Sequence, residues 1–118
     1  MFGIKEKDAK KIAAGFGGGI AYNQKICSAL SGAIILLGCK YFNDNIPKES
    51  KENVYKKINE YLNEFKKIHT STECIELIEI DLSTEGGRKK AKKQDVFNLK
   101  CTKYIEDACR LPKKVLLA

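Results

Sequence analysis

Gly15, Gly17, Gly18 and Gly19 put four glycines into five consecutive positions, and the segment around them, Ala13 to Ile20, soon hands over to Lys25-Ile26-Cys27-Ser28-Ala29-Leu30-Ser31-Gly32-Ala33. Glycines this dense let the backbone take positive φ and let another surface come close. The chain must therefore bend sharply here. The apolar stretch behind the bend, Ile26 to Cys39, is interrupted by Ser28, Ser31, Gly32 and Gly38. It is shorter than the ~20 residues that span a bilayer, so it reads as a buried core helix. Cys27 falls near the start of that helix, where the dipole and free amides favour thiolate over thiol. A lowered Cys27 pKa is the expectation, with Gly17, Gly18 and Gly19 as the place where a cofactor would approach.

The remaining periodicity is helical. A short amphipathic helix is expected from Ile4 to Ala14, stopped by Gly15, with Phe16 plugged into the core. The central helix should run from about Gln24 to Phe42. A turn, Asn43 to Pro47, leads to a third helix from Lys51 to Ile68 with Ser50 as N-cap, and Val54, Ile58, Tyr61, Leu62, Phe65 and Ile68 mark its apolar stripe. Thr70, Ser71 or Thr72 should cap a short helix through Cys74, Leu77 and Ile78, although Cys74 to Leu82 would also suit a short strand. A polar, basic helix follows Asp81–Glu85 and ends near Gln94. The last helix spans Asn98 to Arg110, is closed by Pro112, and leaves Val115, Leu116 and Leu117 as an apolar tail that must dock. The expected fold class is all-α: a single domain over residues 1–118, a bundle of about five helices with a glycine-rich loop before the central one.

The net charge of +7 is concentrated in Arg88-Lys89-Lys90-Ala91-Lys92-Lys93. No stacking aromatics or base-reading arginines accompany the run, so it reads as a solvated face and nucleic acid is not an expected partner. The N-terminus turns charged at once and has no apolar secretory segment, which points to the cytoplasm, to no membrane span and to reduced thiols. His69 reads as a helix-terminus residue rather than a base. Other familiar chemistries lack their residues: there is no Lys-Ser/Thr of a P-loop behind the glycines and no paired carboxylates for glycoside or two-metal work.

Cys27, Cys39, Cys74, Cys101 and Cys109 contain no C-x-x-C pair, which excludes a thioredoxin-type dithiol or a zinc ribbon read from local spacing. At 1.5 Å per residue, Cys27 and Cys39 lie roughly 18 Å apart on one helix and Cys101 and Cys109 about 12 Å apart on another. A disulfide needs Cα atoms within about 7 Å, so any bond or shared metal must join different helices. Cys27 with Cys74 or Cys101 is the natural pairing.

The residues Ala14-Gly15-Phe16-Gly17-Gly18-Gly19, Cys27-Ser28-Ala29-Leu30-Ser31-Gly32-Ala33 and Leu37-Gly38-Cys39-Lys40-Tyr41 resemble a family of redox-active proteins named for a C-G-A-x-x-G motif and a set of spaced cysteines. The resemblance continues through Phe65, Cys74-Ile75-Glu76-Leu77, Asp81-Leu82-Ser83-Thr84 and Cys101-Thr102-Lys103-Tyr104-Ile105. It implies a small helical protein in which Cys27, Cys74 and Cys101 match three of four family cysteines and carry redox or metal chemistry. Ser28 replaces the glycine after the motif cysteine and restricts approach to Cys27. The family's N-terminal helix, with its first cysteine, is expected to be absent. The apolar surface so left bare would be covered in a homodimer, and Cys109 is the candidate to stand in for the missing thiol.

Two functional readings follow. In one, Cys27, Cys74 and Cys101 are the catalytic residues of a cysteine-based redox protein, exchanging dithiol and disulfide or passing electrons, with a redox partner protein. In the other, Cys27, Cys74, Cys101 and Cys109 are thiolate ligands for zinc or an iron–sulfur cluster. A non-catalytic helical interaction domain with inert cysteines is the third possibility.

Overall fold

A computed structural model describes residues 3–117, with side chains through Leu111. Six α-helices and one π-helical turn make up the described chain: α1 (Glu6–Ala13), α2 (Ser28–Tyr41), α3 (Pro47–His69), α4 (Cys74–Ile78), α5 (Glu85–Lys93), the π turn (Phe97–Cys101) and α6 (Thr102–Leu117). No strand occurs among the described residues; the ambiguous segment at Cys74 is helical, and a lone antiparallel bridge joins Ile26 and Glu73. The fold is all-α, as the periodicity requires.

Helices α2, α3 and α6 pack on one another and form the main core. Leu30, Ala33 and Leu37 of α2 meet Tyr61 and Phe65 of α3, with Leu77, Ala108 and Leu111 closing the cluster. Those α2 positions recur at three- and four-residue steps, so one stripe is removed from water. Cys74, Ile78, Leu82, Ala91 and Val96 form a second, smaller cluster beside it. The radius of gyration is 15.3 Å, above the ~13.5 Å expected for a compact chain of this length. Helix α1 contributes to that elongation, because none of its residues is buried and Ile12 stays half exposed. Phe16 is half-buried and belongs to neither cluster, so it does not plug the core.

Three boundaries differ from the sequence reading. Helix α2 begins at Ser28 rather than near Gln24, because residues 24–27 are drawn into pairing with residues 72–75. Helix α3 begins at Pro47, whose fixed φ and missing N–H suit a first helical position. Ser50 is thus no N-cap; its buried hydroxyl accepts from Asn43 N–H at 3.0 Å and donates to Asn43 O at 3.1 Å, tying the turn to the helix. Helix α6 continues through Pro112 to Leu117. Proline lacks the N–H that would bond the carbonyl four residues back. That carbonyl belongs to Ala108, and the buried Tyr61 hydroxyl donates to it at 2.9 Å. A side chain from α3 thereby replaces the bond that Pro112 cannot make. The side chains of the expected tail, Val115 to Leu117, lie outside the described residues.

Candidate functional site

The site starts with an unusual backbone. Gly18, Gly19, Ile20, Ala21 and Tyr22 all take positive φ, at 64°, 66°, 67°, 50° and 66°, and Gln24 follows at 54°. Each such L-residue costs roughly 1–2 kcal/mol, and a β-branched residue such as Ile20 is the least suited of all. Cross-turn hydrogen bonds hold the coil: Ala21 N–H to Gly15 O at 3.0 Å, Gln24 N–H to Gly18 O at 3.0 Å and Lys25 N–H to Gly19 O at 2.9 Å. Gly19 is buried, and a Cβ there would lie 2.6 Å from Lys25 N and 2.8 Å from Cys74 Cβ. Its bareness therefore serves the chain's own packing against the second cysteine.

Beyond the coil, the backbone zips onto the segment entering α4. Cys27 N–H donates to Thr72 O at 2.8 Å, Cys74 N–H to Lys25 O at 2.7 Å and Ile75 N–H to Gln24 O at 3.4 Å. The residue before α2 and the first residue of α4, 47 positions apart in sequence, are brought side by side. Gln24 locks this arrangement from within: its buried amide donates to Ile80 O at 2.6 Å and accepts from Leu82 N–H at 2.9 Å. The third cysteine arrives by another irregularity, since Cys101 ends the π turn that leads into α6. Such bulges re-aim side chains and are frequent at functional sites.

Cys27, Cys74 and Cys101 all line one cavity of about 510 Å³. Gly17, Gly18, Tyr22, Phe97, Tyr104 and Ile105 contribute to its wall, as does Ser28, whose exposed side chain stands beside Cys27. Cys74 is buried, Cys27 and Cys101 are half-buried, and all five cysteines of the chain are free. Cys39 and Cys109 are exposed and are not part of this wall. Gly17 and Gly18 are in the wall, whereas Gly19 stands behind it.

Burial governs the chemistry of the thiols. It pushes the Cys27 pKa up despite hydrogen bonds from the backbone amides of Ala29 and Leu30. The lowered value expected from the helix terminus is thus overturned: the amides at the start of α2 favour the thiolate, but desolvation outweighs them. Cys74 is pushed up to about 11, first by burial and then by the neighbouring Cys27 and Cys101, against a hydrogen bond from Gln24. Cys101 is raised by burial and by Cys27, with Lys100 pulling the other way. Each of the latter two thiols is raised by another member of the trio, which puts the three within electrostatic reach of one another.

A metal centre needs donors that converge on one point. Among the described residues, no group of three or more His, Cys, Asp or Glu side chains is placed to hold a metal ion. Among the described residues, Cys27, Cys74 and Cys101 share the cavity without forming such a donor set.

Behind the cavity wall lies a polar cluster that the sequence did not announce. His69 Nε2 is 2.6 Å from Asp107 Oδ2, and Asp107 also receives Arg110 at 3.1 Å and Lys103 at 3.7 Å. The His69 ring packs 4.7 Å from Phe65 and edge-on, 4.9 Å, to Tyr104. Tyr104 in turn lines the cavity and donates to Leu77 O at 2.8 Å. His69 ends its helix, as expected, and Asp107, which no sequence pattern singles out, is buried. Gln24 was equally hidden, since nothing local distinguishes it from a helix-start glutamine.

Fold and site together define a small all-α protein that carries three thiols around one apolar chamber. Residues 1–115 match the sequence profile of the family described as "Putative redox-active protein (C_GCAxxG_C_C)". The chain belongs to that family. No curated protein and no solved structure matches it. Among the described residues, no helix is long and apolar enough to cross a membrane.

Proposed function

We propose that this protein is a thiol–disulfide redox protein in which Cys27 and either Cys74 or Cys101 cycle between dithiol and disulfide, with a disulfide-bearing molecule or partner protein as electron acceptor. The observation that carries the reading is the sharing of one cavity by the three family cysteines, two of them held by the backbone bridge that joins the starts of α2 and α4. Cys27 is the entry thiol: it is half-buried, beside the exposed Ser28, and the Ala29 and Leu30 amides stabilise the thiolate as it forms.

In the proposed step Cys27 loses its proton, and its sulfur attacks one sulfur of the acceptor disulfide. That S–S bond breaks and one acceptor thiolate leaves. Cys74 or Cys101 then loses its proton and attacks Cys27 Sγ, which breaks the mixed disulfide and expels the second thiolate. Two electrons pass to the acceptor, and the two released protons restore its thiols. Raised thiol pKa values keep the resting site protonated near neutral pH, so the attack speeds up as pH rises.

Treating the reduced protein with bis(hydroxyethyl) disulfide and mapping its peptides by mass spectrometry tests this. A cross-linked peptide pair that contains Cys27 and has lost two hydrogens is expected, and Cys27→Ser should abolish it while the helical circular dichroism is retained. Absence of any internal bond among the three cysteines overturns the reading.

A further inference from the structure

The chamber is lined by fifteen residues, and none of them is Asp, Glu, Lys, Arg or His. Its polar groups are few and partly committed, the Tyr104 hydroxyl being already bonded to Leu77 O at 2.8 Å. Charged side chains act on it from outside in both signs. Glu73 bears on Cys74, Glu79 on Tyr104 and Lys100 on Cys101. Arg88 lies 5.1 Å over the ring of Tyr22. Each cation already has a partner: Lys100 sits 3.9 Å from Glu79 and Arg88 donates to Leu82 O at 3.0 Å. The volume of about 510 Å³ is within the ~300–1,000 Å³ usual for small-ligand sites. A carboxylate taken into such a space gives up its water without gaining a charged partner from the wall, and that penalty disfavours its entry.

We infer that the chamber selects its small disulfide substrates by charge, admitting uncharged ones and turning away those that carry carboxylates, glutathione-type peptides included. The inference rests on the redox reading above and names the substrate class of that site. The chemistry is unchanged: two protein thiols are oxidised, and one uncharged disulfide is reduced to two thiols.

The test compares two chromogenic disulfides of similar shape, uncharged dithiodipyridine and doubly anionic dithiobis(nitrobenzoate). It uses the full chain carrying Cys39→Ser and Cys109→Ser, so that the exposed thiols do not report. Each rate is divided by that of free cysteine with the same reagent at the same pH, which removes the reagent's intrinsic reactivity, and the protein thiolate fraction cancels in the ratio of the two normalised rates. The normalised rate for the uncharged reagent should exceed that for the anionic one by at least about tenfold. Ile105→Lys, a change at a half-exposed wall position, should bring the two rates closer together by supplying the missing cation. Equal normalised rates, or a ratio that Ile105→Lys leaves unmoved, overturn charge selection. If the uncharged reagent caps Cys27 with the expected preference but no internal disulfide follows, the redox reading fails while charge selection stands.

Discussion

The core of α2, α3 and α6 and the cysteine chamber share residues, yet they are built by opposite means. In the core, regular helices present apolar side chains at helical spacing, and the largest fully buried ones, Tyr61, Phe65, Leu30 and Leu37, interlock across the helix faces. In the chamber, irregular backbone does the placing: a left-handed coil at 18–22, an isolated bridge at Ile26 and Glu73, and a π turn ending at Cys101. Periodic structure supplies free energy, whereas aperiodic structure spends some of it to bring distant thiols together. Conformational strain of this kind persists only where the surroundings over-determine it.

Removing a large core side chain should give the largest effect. Phe65 is fully buried, and its ring touches His69 at 4.7 Å and Tyr104 at 6.3 Å. Phe65→Ala is expected to cost about 3–5 kcal/mol in urea-induced unfolding, the range for aromatic-to-alanine changes in cores. Because Tyr104 also lines the chamber, the same variant should label faster at Cys74 with a thiol reagent under native conditions. Loss of stability without faster labelling would show that the two regions are energetically separate.

A smaller loss should come from the chamber side. Gly19→Ala puts a Cβ at φ +66°, within 2.8 Å of Cys74 Cβ and 2.7 Å of Gln24 Cα. The conformational part alone is worth roughly 1–2 kcal/mol, and relieving the contacts must move Cys74 or the Lys25 backbone. Gly17→Ala meets nothing within 4 Å and should stay within about 0.5 kcal/mol of the parent. Thermal unfolding of the two variants side by side measures the difference; equal midpoints would mean that the coil, and not Gly19, absorbs the change.

This contrast also explains what a reader of the sequence sees. The amphipathic stripe of α3, apart from the exposed Ile68, and the basic, exposed α5 are legible because side-chain periodicity reports which face is buried. That Cys27, Cys74 and Cys101 line one cavity agrees with the family pattern and with helix geometry, which leaves only pairings between different helices. The positive φ of Ile20, Ala21 and Tyr22 leaves no local signature, since those residue types ordinarily avoid it. Gln24 and Asp107 are buried by partners 56 or more and 38 positions away, respectively, which no local window contains. Pro112 signalled a helix end on sound local grounds and was overruled by a hydroxyl from α3.

The smallest expected effect concerns the joint between the two regions. Burial alone would raise the Asp107 pKa, but hydrogen bonds from Arg110 and His69, with Lys103 nearby, hold it below the ordinary carboxylate value. A carboxyl that releases its proton more readily when folded binds fewer protons than the unfolded chain in the interval between the two pKa values. Its contribution is therefore complete above the unfolded value of 3.8 and disappears as pH falls through the lower folded value. Denaturant midpoints measured from pH 5 down to pH 2, on the order of the acid range where carboxylates titrate, should fall more steeply in the parent than in Asp107→Asn. Since His69 links Asp107 to Tyr104, the same acid range should also quicken labelling of Cys101 in the parent relative to its rate in the unfolded chain. Parallel stability curves for the two proteins would remove Asp107 as the clasp between core and chamber.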